Sequence, residues 1–323
     1  MTDFWQSQFE QHSVAQYPDF DNANYLMPLS QIGVIQIQGE ESSTFLQNLL
    51  TNDVASLSVN QSQLNGFCNA KGRLLAIFLL LRRADCFQII VPQSMCAGLQ
   101  QRLSMYILRS KVTVSNVSDK LSLIGLAQSV DAADGKFELP KQNYHAEEQD
   151  NKLFIKLPGS LNRYLFIGQA DKTDSFCQEL VEQHWLLAEQ SSWQLLDIDF
   201  GLATVLPDTK EKFTPQQLNF DLIGGVSFNK GCYPGQEIVA RLHYLGKPSR
   251  RLFSASCCSD KLPEPGHEIS DQDGSILGHV VSAQFSSIDN IKLLLSLKLT
   301  EKDNAMFIQS SVVVNDIKAL AQD

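Results

Sequence analysis

The sequence predicts an α+β protein that ends in a small all-β domain, read as a barrel. Strand-like and helix-like stretches mix over the first 245 residues without the regular strand–helix–strand rhythm of a parallel sheet. No Gly-x-Gly-x-x-Gly fingerprint accompanies them, which argues against a dinucleotide fold. After about residue 246 the pattern changes to short β-like runs, with turns marked by Pro265-Gly266 and Asp273-Gly274.

Taken in order, residues 1–24 are polar with scattered aromatics and read as a loosely held arm. Gly33 to Gly39 reads as a strand. Glu40 to Asn52 reads as a helix, because Phe45, Leu46, Leu49 and Leu50 fall on one face and Glu40 and Glu41 suit its N-terminus. The unbroken apolar run Leu74 to Leu81 suits a buried strand, and Asn69-Ala-Lys-Gly72 before it suits a hairpin turn. Phe87 to Val91 is a further strand. Met95, Leu99, Leu103 and Ile107 then recur at helical steps from Pro92 to Lys111. Strands are predicted at 112–114, 121–127, 153–157 and 164–167, with a surface loop over 129–151. Thr173 is placed to cap a helix reaching Ala188, and Ser192 to cap Trp193–Phe200, which Gly201 closes. Leu206 to Leu218 holds two prolines and reads as an extended loop. The barrel strands are 252–255, 276–281, 291–297 and 311–314.

The 323 residues suffice for two or three domains with a sizeable core. A net charge of −10 argues against broad electrostatic capture of nucleic acid or anionic membrane. No apolar run approaches the ~20 residues that span a bilayer. No secretion signal is read at the N-terminus, and a cytoplasmic location is expected. The seven cysteines are irregularly spaced, with no Cys-x-x-Cys pair and no zinc-finger pattern. Reduced thiols are the simplest account, and no metal ligands are assigned.

The most informative stretch is Phe228-Asn-Lys-Gly-Cys-Tyr-Pro-Gly-Gln-Glu-Ile-Val-Ala-Arg241. Gly231 and Gly235 flank the cysteine, and Pro234 fixes one further backbone angle, so a tight turn presenting Cys232 is expected. A thiol beside Lys230 on such a turn has a route to a lowered pKa. The bland alternative is a small packed residue in a bend.

Lys230-Gly-Cys-Tyr-Pro-Gly-Gln-Glu237, followed by Ile-Val-Ala-Arg241, resembles the signature of the YgfZ family, folate-binding proteins related to the T-protein of the glycine cleavage system. Gly39-Glu-Glu-Ser-Ser-Thr-Phe-Leu-Gln47, Thr51-Asn-Asp-Val54, Asn69-Ala-Lys-Gly-Arg73 and Gly224-Gly-Val-Ser-Phe228 agree with it, in the family's order. The resemblance implies two related α+β lobes over residues 25–245 and a C-terminal β-barrel over 246–323, around a central hole that accepts a tetrahydrofolate derivative. It implies support of iron–sulfur enzymes or their assembly proteins, and through them, indirectly, of tRNA modification. It maps the family's cysteine onto Cys232 and a folate-associated tryptophan onto Trp193.

Three departures stand out. A second folate-associated tryptophan would align with Ile32, which leaves Trp193 to supply any aromatic face; such stacking is worth roughly 0.5–1.5 kcal/mol beyond area burial. T-proteins tend to carry an arginine where Asp197 stands, so binding of an anionic glutamate tail falls to Lys71, Arg73 or Arg241. T-proteins also have paired aspartates in the stretch where Leu75 and Ala76 stand here. Neither side chain can handle a proton or a developing iminium charge, so aminomethyl transfer is disfavoured.

Other readings stay open at this level. Lys71 and Arg73 meet folate carboxylates or sit in solvent. Tyr233 lines the hole or packs under the turn. Gln236 belongs to the motif without an assigned role. Glu237 and Arg241, four apart, read as an ion pair bracing the loop. Arg241, Lys247, Arg250 and Arg251 read as a solvated domain junction. The function expected is a folate-binding accessory protein with a thiol at Cys232. The alternative is a folate-dependent one-carbon transferase or demethylase.

Overall fold

The computed structural model describes residues 3–129, 139–246, 248–299 and 305–320. The N-terminal segment is not a loose arm. It forms helix α1 (Asp3–Gln11) and strands β1 (Val14–Ala15) and β2 (Tyr25–Pro28). Trp5 is buried and packs with Leu26, Phe154 and Phe176, because an aromatic among polar residues still has its apolar area to remove from water.

The next segment builds one lobe from β3 (Ile32–Gln38), α2 (Ser42–Gln47), β4 (Gln61–Cys68), β5 (Leu74–Arg82), β6 (Cys86–Pro92), α3 (Gln93–Ser104) and β7 (Thr113–Asn116). Its sheet runs in the order β4-β5-β6-β3-β7. Helices α2 and α3 pack Phe45, Leu46, Leu99 and Leu103 on one face, over Ile35, Ile37 and Leu80. Ile77, Leu79 and Leu81 point to the other face, toward the centre of the molecule. Strand β5 is therefore covered on both sides, as its unbroken apolar run requires. Both helices are shorter than their periodicity predicts. After α3 the chain passes through turns, with Leu108 at φ +44° and almost fully exposed.

The second lobe contains β8 (Leu121–Gln128), β9 (Ala146–Gln149), β10 (Lys152–Leu157), β11 (Asn162–Gln169), α4 (Thr173–Glu182) and β12 (Leu186–Ala188). With β1 and β2 these strands form a sheet in the order β1-β12-β2-β8-β11-β10-β9. Part of the predicted 129–151 loop is thus strand β9, while residues 130–138 of that loop lie outside the described residues. Helix α4 stops six residues before its predicted end. His184 at φ +66° turns the chain into β12, which pairs in parallel with β1 and β2.

Helix α5 (Gln190–Phe200) ends, as predicted, on Gly201 in the left-handed conformation at φ +82°. Helix α6 (Gln236–Tyr244) follows the cysteine turn. Six strands then close a barrel in the order β13-β16-β15-β14-β17-β18: β13 (Arg250–Cys258), β14 (Glu268–Ser270), β15 (Ile276–Phe285), β16 (Asn290–Lys298), β17 (Met306–Ile308) and β18 (Val312–Ala319).

Directional bonds fasten the barrel to the lobes. The Asn219 amide donates to the Leu252 carbonyl at 3.0 Å and accepts from the Leu252 N–H at 3.1 Å. Arg251 pairs with the buried carboxylate of Asp221 at 2.6 Å. Of the predicted basic run, Arg251 is thus a fastening and Arg241 is exposed, while Lys247 lies outside the described residues.

Replacing Trp5 by Ala is expected to cost roughly 3–5 kcal/mol in urea unfolding, the range for a deleted core aromatic. An unchanged midpoint would mean that α1 contributes nothing to the core.

Candidate functional site

A cavity of about 420 Å³ opens where the two lobes and the barrel meet. Its walls include Ile77 and Leu79 of β5, Leu165 of β11, Trp193 of α5, and Val281 and Ala283 of β15. Size and apolar lining are those of a small-molecule pocket. Trp193 is held rigidly in the wall. A Cβ on Gly125 of β8 would run into the indole Cε3, so only glycine admits the ring there. The Arg163 guanidinium lies 5.5 Å from the Trp193 ring centre and 5.5 Å from that of Phe200.

Arg163 is 2% exposed. Its Nη1 donates to Asp197 Oδ1 at 2.8 Å and its Nε to the Pro158 carbonyl at 2.7 Å. Asp197 follows Trp193 by four residues, one helical turn, so both project from one face of α5. Burial pushes the Asp197 carboxyl up, and the Arg163 guanidinium opposes that shift. Tyr144 lines the same wall, and its hydroxyl is pushed up by burial, with the Arg163 charge opposing and the Asp197 charge adding. Ile32, where the resemblance places a second tryptophan, also lines this cavity.

The cysteine turn is a separate construction. Cys232 is exposed, whereas Lys230 and Tyr233 are buried. The Lys230 ammonium does not face outward with the thiol. It points inward and donates to the carbonyls of Gln47 and Leu50 at 2.6 and 2.5 Å, at the C-terminal end of α2, where orphan carbonyls need donors. Burial pushes its pKa down to about 8, against the pull of Asp53. The ammonium also lies 5.2 Å from the Tyr233 ring centre, so Tyr233 packs under the turn.

Gly235, at φ +80°, presses its backbone on the Asn69–Gly72 hairpin; a Cβ there would collide with the Asn69 carbonyl oxygen. The neighbouring segments interlock in the same way. Thr51 Oγ1 donates to the Gly225 carbonyl at 2.7 Å, and the Asn52 amide to that of Gly224 at 2.8 Å.

The predicted residues thus divide. The structure brings together Lys230, Gly231, Cys232, Tyr233, Gly235 and the turn that carries Lys71. Lys71 is exposed there, and Arg73 is tied to the Lys212 carbonyl at 2.6 Å. Gln236 and Glu237 open α6, on which Arg241 is exposed. Glu237 and Arg241 do not form the predicted ion pair; both are exposed on the helix. Of the predicted binding residues, Trp193 lines the cavity, and Lys71, Arg73, Tyr233 and Arg241 do not. Sequence reasoning missed Arg163 and Tyr144. Arg163 begins an apolar strand, and only its burial beside Asp197 singles it out.

The chain is 32% identical to the tRNA-modifying protein YgfZ of Colwellia psychrerythraea over 256 residues, which cover 78% of this chain and 76% of that protein. The chain belongs to the YgfZ family. A second relative, the tRNA-modifying protein YgfZ of Edwardsiella ictaluri, is 32% identical over 76% of this chain and 74% of its own length. Residues 3–128 match the GCVT N-terminal domain. The crystal structure of the glycine cleavage system aminomethyltransferase T from Bartonella henselae superposes with a TM-score of 0.74, at 17% identity, over 93% of this chain and 87% of that one. That likeness shows the T-protein fold. Among the described residues no helix is long and apolar enough to cross a membrane, and no group of three or more His, Cys, Asp or Glu is placed to hold a metal.

In this YgfZ-family chain, Lys230→Met strips the Gln47 and Leu50 carbonyls of a donor and is expected to cost about 1–3 kcal/mol in urea unfolding. Alkylation of Cys232 by iodoacetamide in the folded protein should keep its rate. A roughly tenfold slowing would instead make Lys230 the activator of the thiol.

Proposed function

We propose that this protein binds a reduced folate in the central cavity and acts as an accessory protein for the assembly or repair of iron–sulfur enzymes, and through them for tRNA modification. The observation that carries the reading is a rigid tryptophan in the wall of an apolar cavity of about 420 Å³, in a chain whose cysteine turn is held open to solvent. Membership of the YgfZ family and the T-protein fold support it. The relatives are named tRNA-modifying proteins, which supports the link to tRNA.

The residues present fit a folate's ring system. Trp193 and the aliphatic wall match its flat faces, and Tyr144, Arg163 and Asp197 supply polar groups at one corner. The bound folate would bring one-carbon chemistry; the chain's own part is to exclude water and orient the ring. Aminomethyl transfer is not part of the proposal. Leu75 and Ala76 are packed in the core beneath α2 and α3, and the carboxylate in the cavity wall, Asp197, is already matched by Arg163. Cys232 offers an exposed thiol for persulfide transfer, mixed-disulfide formation or shared cluster ligation with a partner's cysteines.

Two experiments test the reading. Tetrahydrofolate added to purified protein is expected to quench tryptophan fluorescence saturably, and the response from this site should vanish in Trp193→Phe, leaving only that of the other two tryptophans. No saturable binding would remove folate from the proposal. In cells lacking the protein, Cys232→Ala should fail to restore tRNA methylthiolation; full restoration would remove the thiol.

A further inference from the structure

The cavity contains a built polar corner whose charges cancel. Among the described residues that line it, Arg163 and Asp197 are the only charged ones, and they neutralise each other at 2.8 Å. A guanidinium held this way, 2% exposed and with its Nε on a backbone carbonyl, offers no net charge to an incoming anion. Asp197 lines the cavity, and its side chain keeps 21% of its surface accessible. Tyr144 adds a hydroxyl to the same wall.

Elsewhere the cavity's polar side chains are neutral, the hydroxyls of Ser94, Thr204 and Ser282 and the amides of Gln31, Gln190 and Gln194, the last bonded to Gln284 outside the lining. Gln284 donates to Gln194 at 2.8 Å, Gln194 to Gln31 at 3.2 Å, and the Gln31 backbone N–H to Gln190 at 3.3 Å. Gln31 and Gln194 are exposed, which puts this chain of amides at the mouth.

We propose that the Tyr144–Arg163–Asp197 corner reads the neutral hydrogen-bonding edge of a 2-amino-4-oxopteridine, and that the cavity does not discriminate on the glutamate tail. The inference rests on the folate reading and deepens it. The pteridine edge carries adjacent N–H donors on the 2-amino group and ring nitrogen, which suit the accessible part of a carboxylate, and a carbonyl, which suits a hydroxyl or guanidinium donor. A ligand that met a net positive charge here would gain from each added glutamate. A neutral corner and an amide-lined mouth give no such gain.

The test uses the full chain and three probes: 6-methyltetrahydropterin, tetrahydrofolate with one glutamate, and tetrahydrofolate with five, each titrated calorimetrically at low and high salt. The expected result is that the two folates bind with dissociation constants within about twofold, that the tailless pterin competes with them, and that salt changes little. Asp197→Asn should weaken all three about tenfold or more, since it removes a charged acceptor. Because that substitution leaves Arg163 unmatched and can unfold the wall, Tyr144→Phe provides a milder variant; it should weaken all three by about two- to tenfold.

Pentaglutamate binding ten or more times tighter than monoglutamate, and salt-sensitive, would overturn the proposal while leaving folate binding intact. So would wild-type affinity in both variants. Failure of all three probes to bind the unmodified protein would overturn the folate reading itself, and this inference with it.

Discussion

The cavity wall is built around one ion pair, Arg163 with Asp197. Arg163 is almost wholly buried, and a guanidinium in that position needs a matched anion and satisfied donors. Asp197 supplies the anion and the Pro158 carbonyl a further acceptor. Because Arg163 sits on β11 and Asp197 on α5, their bond sets where the helix lies on the sheet. That placement puts Trp193, one turn before Asp197, on Gly125 of the adjacent strand β8, where Gly125 lies opposite Leu165. The wall of the cavity is therefore held both by the charge match and by the close fit of Trp193 on Gly125.

The cysteine turn is organised by the same logic with different groups. Lys230 is a buried cation matched by the carbonyls of Gln47, the last residue of α2, and of Leu50 beyond it, instead of by a carboxylate. Gly235 allows backbone to lie on backbone at the Asn69–Gly72 hairpin, and Thr51 and Asn52 hold the strand of glycines that leads in. What these contacts leave free is Cys232. Five of the seven cysteines are buried, and burial pushes the thiols of Cys86 and Cys257 up to about 11 and that of Cys68 to about 12. The motif's residues thus hold Cys232 outside the interior that buries five of the other six; Cys258, on the barrel strand β13, is exposed as well.

Much of this was legible in the sequence, for reasons that differ by element. The run Leu74–Leu81 announced a strand covered on both faces, and Gly201 the end of α5, because each depends on local residue type. The barrel was legible from turn spacing, although β14 and β17, three residues each, gave too little periodicity to read. Helix lengths were overestimated where apolar spacing ran on past a local break, at Leu108 and at His184. The cysteine turn was legible as a turn, but the direction of Lys230 was not, since its acceptors lie some 180 residues earlier in the chain. Arg163 was invisible for the same reason. A cation at a strand's start is ordinarily solvated, and only the fold brings Asp197 to it, 34 residues on.

The two constructions share one strand. Strand β5 carries Ile77 and Leu79 in the cavity wall, and the hairpin that leads into it is the seat on which Gly235 rests. From Gly72 to Ile77 is at most roughly 17 Å of extended chain. The strand between is buried on both faces, in a close-packed interior that transmits displacement rather than absorbing it. The cavity wall and the seat of the cysteine turn are therefore parts of one buried strand and the hairpin that leads into it. Segments 69–73 and 224–241, far apart in sequence, thus meet in a single contact, Gly235 on the Asn69–Gly72 hairpin.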